Sequence, residues 1–173
     1  MQRIDPNTEK PTRDLLGHAI RGELDEMSRL VYAIGDQRYL ECITLCIAIT
    51  GYVAVDVCRI QWPADADLRE IARHAASTSD DYDLDETAVF DFLSRIVFGA
   101  DKLDQVFPDL AVSTTLPVLA TARILLSFCP RDKDWWEYLD VIEVASEQAT
   151  VVDPAVLPAL MFMVRGAQVR KAQ

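Results

Sequence analysis

A chain of 173 residues with 50% hydrophobic side chains is long enough to bury one substantial core and short for two domains. Its formal net charge of −11, from 28 acidic and 17 basic residues, opposes non-specific binding to nucleic acid or to an anionic membrane surface. Basic protein surfaces, cations or solubility remain as uses for that acidity.

The first residues, MQRIDPNTEKPTRD, are polar and hold two prolines where a secretory leader would carry an apolar segment. Four cysteines do not make a disulfide framework in a chain of this length, and their apolar neighbours suit reduced thiols, so a cytoplasmic location is expected. Lysine is scarce beside Arg, Ala, Val and Asp, a bias common in proteins from GC-rich bacterial genomes.

Residues 1–11 read as a disordered tail, and residues 12–173 as a single helical domain. From Thr12 the series Leu16, Ile20, Leu24, Met27, Val31, Ile34 recurs every three or four residues, predicting one amphipathic helix that ends at Gly35. The stretch 37–61, QRYLECITLCIAITGYVAVDVCRIQ, is the most apolar in the chain. Leu40, Ile43 and Ile47 mark one side of it as a helix, while Leu45, Ile49, Tyr52, Val53 and Val57 cover the others. A helix apolar all round belongs at the centre of a bundle.

Two rivals compete with that assignment. A membrane span needs about 20 predominantly apolar residues, and here Asp56 and Arg59 interrupt the run. A hairpin about Thr50-Gly51 is suggested by the alternation of Ile43, Leu45, Ile47 and Ile49, but a two-residue turn would set Asp56 opposite Leu45 on the oily face. The helical period of the flanking segments favours helix.

Trp62-Pro63 closes this stretch. A third helix follows Asp65 or Asp67, with Leu68, Ile71, Ala72 and Ala75 inward. STSDDYDLDE (77–86) is an acidic linker, and the next helix turns Val89, Phe90, Leu93, Ile96 and Val97 to the core. Residues 101–107 form a short turn of helix. Thr115 to Phe128 is a very apolar helix with Pro117 in its first turn. Asp132 to Thr150 carries Trp135, Trp136, Leu139 and Ile142, and Asp153-Pro154 opens a last helix with a basic end. The expected fold is all-α: a single-domain bundle of about seven helices around the buried central helix 37–61.

Chemical motifs fail one by one. Asp81, Asp83 and Asp85 match positions 1, 3 and 5 of a calcium loop, yet its glycine position is Glu86 and its final glutamate position is Phe92. The linker then serves as a solvated loop whose carboxylates suit the next helix N-terminus. Cys42, Cys46, Cys58, Cys129, His18 and His74 lack zinc spacing. No G-x-S-x-G or phosphate-cradling glycine loop occurs, and Thr12 to Gly35 has mixed charge rather than the basic helix-turn-helix of a DNA-binding regulator. No metal or cofactor is therefore expected.

Two anomalies remain. Asp56 and Arg123 are charges inside apolar stretches, and an unpaired buried ion costs several kcal/mol. Asp56 has a local option in Arg59, but a bridge to another helix, Arg123 first, is expected, with Tyr52, Thr50 and Thr121 beside it as a candidate ligand pocket. In KDWWEYLD, Leu139 and Ile142 define the inner face, so Trp135 is expected inside. Trp136 is then more exposed beside Glu137 and Asp140, as a candidate partner surface.

The leading functional reading is a non-catalytic interaction module, of adaptor or immunity type, that binds a protein partner with a basic surface. Apolar helices such as Thr115 to Phe128 also allow a homodimer. A helical small-molecule binder built on Asp56 and Arg123 is the alternative, and an enzyme with a non-local site ranks last.

Overall fold

The computed structural model describes residues 6–58, 63–78, 82–98 and 115–128, and these form a short 3-10 turn and six α-helices with no strand among them. After the 3-10 turn Pro6–Thr8 come α1 (Glu9–Ile20), α2 (Leu24–Ile34), α3 (Asp36–Cys58), α4 (Asp65–Ser77), α5 (Glu86–Phe98) and α6 (Leu116–Phe128). The all-α expectation holds, with six described helices rather than about seven. The turn at 101–107 and the helices expected beyond Cys129 lie outside the described residues.

α3 is the axis of the bundle. Its 23 residues span about 35 Å at 1.5 Å each. From Cys42 to Ala54 every side is buried except the half-buried Thr44 and Ala48. The hairpin rival is excluded by the continuous helix through Thr50-Gly51, and the last positions of the expected stretch, 59–61, lie outside the described residues. α6 and α5 pack along α3, α1 lies against α2, α3 and α6, and α4 joins α5 and α6. Each Leu or Ile fully buried in this core contributes about 1.5–3 kcal/mol.

The amino-terminal boundary differs from expectation. Residues 6–11 are folded, and Thr8 and Thr12 are completely buried. The Thr8 hydroxyl donates to Glu41 Oε2 at 2.6 Å, Arg38 Nη1 donates to Thr8 Oγ1 at 3.3 Å, and Thr12 Oγ1 donates to the Thr8 carbonyl at 2.8 Å. These bonds stitch the start of the chain to α3. Pro11 sits in the first turn of α1, where a missing N–H removes no intrahelical bond.

The single helix expected from Thr12 to Gly35 is two. At Gly22, with φ 71°, the chain turns left-handed. The Gly22 N–H bonds to the Ala19 carbonyl at 3.2 Å and the Glu23 N–H to the His18 carbonyl at 2.9 Å, the double bond pattern of a Schellman stop. Around this turn Glu23 Oε2 accepts from Arg21 Nη2 at 2.9 Å and lies 2.7 Å from His18 Nδ1. The hydrogen bond from Arg21, then that from His18, lowers the Glu23 carboxyl from its ordinary 4.5 to about 2.

The other helices follow local signals. The side chain of Asp67 accepts the Ala64 N–H at 2.8 Å at the start of α4, whose buried face is Leu68, Ile71, Ala72 and Ala75, as expected. In α5 the buried set is Val89, Phe92, Leu93, Ile96 and Val97. Phe92 replaces the expected Phe90 because it lies three residues from Val89 and four from Ile96 (Phe90 sits beside the stripe). Phe90 is half-buried and carries the Arg69 guanidinium 4.0 Å from its ring centre. None of the described helices is long and apolar enough to cross a membrane.

Gly35 joins α2 to α3 at φ 77° and ψ 162°, a region that is essentially glycine's alone, although nothing lies within 4 Å of where a Cβ would stand. Gly35→Ala is therefore expected to cost about 1–3 kcal/mol through backbone strain, read as a lower urea midpoint with unchanged slope. Gly17→Ala, in the helical interior of α1, should range from neutral to about 1 kcal/mol stabilising, since its Cβ meets only the movable Arg21 guanidinium at 3.2 Å. For Glu23 the sign is that of a depressed carboxyl: its contribution is present above pH 4.5 and lost as pH falls toward about 2. The stability difference between wild type and Glu23→Gln should collapse through that window in acid titrations followed by circular dichroism.

Candidate functional site

Two polar groups are sealed between apolar helices. Thr50 of α3 and Thr121 of α6 are both fully buried, with their hydroxyl oxygens 2.7 Å apart. Thr121 Oγ1 also lies 2.6 Å from the Pro117 carbonyl and 3.2 Å from the Cys46 carbonyl. A hydroxyl has one proton. The shorter contact to Pro117 takes it, so Thr50 donates to Thr121 and the Cys46 carbonyl shares weakly.

Arg123, one turn from Leu119 on α6, is 1% exposed. Its Nη2 donates to the Tyr82 carbonyl at 2.8 Å, and its guanidinium carbon stands 4.0 Å from the centre of the Tyr82 ring. The Tyr82 hydroxyl reaches the Leu119 carbonyl at 3.4 Å, which fixes the ring along α6. Arginine over an aromatic face gains about 2 kcal/mol when desolvated. Ser127 donates to the Arg123 carbonyl at 2.8 Å and meets Thr78 at the end of α4.

The structure thus unites Thr50 with Thr121 and buries Arg123, and it buries Tyr52 on α3. Asp56 lies in the last turns of α3, and its side chain lies outside the described residues, as do Arg59, Trp136, Glu137 and Asp140. The partner that sequence reasoning missed is Tyr82. It is the one aromatic residue in STSDDYDLDE, and that was its available signal. The linker's described aspartates are open: Asp83 and Asp85 are exposed on either side of Leu84, which packs against the core, and Asp85 accepts the Thr87 N–H at 3.2 Å at the start of α5.

Cys42 and Cys46 are buried in α3, and burial pushes both thiols up from their ordinary range; a hydrogen bond with Thr12 offsets part of this at Cys42. Burial also raises Cys58, which is half-buried. Thiols held protonated are poor nucleophiles. No group of three metal-binding side chains converges among the described residues.

On the outside, α2 is the least embedded helix. Met27 is its only fully buried residue, and Leu24, Leu30, Val31 and Ile34 are half-buried. Tyr32 projects from it 91% exposed, on the side that also carries Asp25, Ser28 and Arg29, with Asp36 one turn further along. Comparison of the chain with protein-family models, curated proteins and solved structures finds no match.

The Thr50–Thr121 bond gives a double-mutant cycle with a definite sign. Thr121→Val strands the Thr50 hydroxyl and Thr50→Val empties an acceptor, so each alone should cost about 1–3 kcal/mol in urea denaturation. The double Val variant should cost less than the sum, with a coupling of about 1 kcal/mol between these touching groups.

Proposed function

We propose that this chain is a non-catalytic helical interaction module that binds a protein partner bearing a basic surface, with the outer face of α2 as the contact. The observation that carries this reading is Tyr32, a large amphipathic side chain left 91% exposed on a helix flanked by acidic residues. Tyrosine is a preferred interface anchor because it offers much contact area at low entropic cost. Its ring face also suits an arginine or lysine of the partner, as the Phe90 ring does for Arg69 within this chain.

Charge narrows the partner. A net charge of −11 attracts a basic surface and disfavours a second copy of the same acidic chain. The raised thiols of Cys42 and Cys46 fit a non-catalytic role, and reduced cysteines suit a cytoplasmic location.

Tagged protein captured without cross-linking from the cells that express it should retain a basic polypeptide at about 50 mM salt and release it at about 500 mM, where surface charges are screened. Tyr32→Ala should weaken that complex about 30-fold, the loss typical of an anchor residue, while leaving the circular dichroism melt unchanged. Equal recovery by wild type and Tyr32→Ala would move the contact off α2. Recovery insensitive to salt would remove the basic partner.

A further inference from the structure

Arg123 is the only fully buried charged side chain among the described residues, and its hydrogen bonding is incomplete. A guanidinium carries five N–H groups in a planar fork. Nη2 donates to the Tyr82 carbonyl, whereas Nε and Nη1 have no hydrogen-bond partner among the described residues, and no described carboxylate pairs with Arg123. Native chains rarely leave buried donors unmet, least of all on a charge.

The fork has two edges, one formed by Nε with Nη2 and one by Nη1 with Nη2. The Tyr82 carbonyl takes one of the two Nη2 hydrogens. Whichever it takes, one edge keeps both of its donors. A two-donor edge is the geometric complement of a carboxylate, which accepts two parallel N–H···O bonds in the guanidinium plane. The plane itself is held by the Tyr82 ring 4.0 Å away, so the edge is oriented before anything binds.

From this geometry we propose that the remaining edge of Arg123 seats a small carboxylate ligand, covered on one face by Tyr82. A single negative charge balances the single buried cation. Phosphate, bringing a second charge and a third oxygen, has no second buried cation to meet it among the described residues. The seat lies on α6 and does not depend on the partner contact proposed for α2.

The test is a titration of the isotope-labelled wild-type protein with sodium acetate and sodium benzoate. Sodium chloride at matched ionic strength, acetamide and benzamide serve as controls. The Arg123 Nε–H resonance should shift saturably with at least one carboxylate and with none of the controls. At about ten times its Kd, that carboxylate should raise the melting temperature by about 3–6 °C. Arg123→Met should lose the stabilisation, and Tyr82→Phe, which keeps the ring and the carbonyl, should retain it. A flat response to both carboxylates overturns the proposal, as does an equal response to chloride or to the amides. Because the wild-type resonance carries the readout, the test stands even where Arg123→Met fails to fold.

Discussion

Between Cys42 and Ala54, α3 directs apolar side chains to every side, so it is stable only when other helices close around it completely. That requirement organises the bundle. α6 lies along one side, α5 along another, and α1 and α2 return against the first half of the helix. The 3-10 turn at Pro6–Thr8 adds a clasp through Thr8, Arg38 and Glu41. Backbone N–H and C=O groups are satisfied within the helices, so side-chain hydroxyls and one guanidinium are what remain to be accommodated in the core.

Those groups lie where two very apolar helices meet. α3 and α6 could slide or rotate against each other with little change in buried area, because their facing surfaces are both oily. The Thr50–Thr121 bond penalises such slippage: any other register leaves a hydroxyl unmet at about 1–3 kcal/mol. Arg123 adds a second lock, since its charge tolerates burial only while Tyr82 supplies a carbonyl and a ring face. The stretch before α5 is thereby held to α6 through Tyr82, while its carboxylates at Asp83 and Asp85 stay in water.

Much of this was legible from local patterns. α3 announced itself by apolar residues on every side, α4 by Pro63 and Asp67, and α6 by Pro117 and its apolar run. The break between α1 and α2 was hidden because Leu16, Ile20, Leu24 and Met27 keep helical spacing straight across Gly22. Only its positive φ reveals a stop rather than a tolerated interior glycine. Folding of residues 6–11 depends on Glu41 and Arg38, some thirty positions away, which composition cannot foresee. The same limit applies at the candidate site. Arg123 stood out as a charge in oil, but Tyr82 meets it across 41 positions and from an acidic loop, so no periodicity connects them.

The distribution of charge explains why recognition by this surface should rest on an apolar anchor. Arginines on the helix exteriors are paired with acids on their own helices: Arg13 with Glu9, Arg29 with Glu26, Arg69 with Asp65 and Arg73 with Glu70. Exposed pairs of this kind contribute about 0–1 kcal/mol each, and they cancel locally. The acidic surplus is left as a diffuse field over the molecule. Such a field accelerates encounters with a basic surface and weakens with salt, but it does not choose an orientation. A defined complex then needs a side chain that gains only when docked in one place, and on the described exterior Tyr32 is the large apolar group most fully offered to solvent.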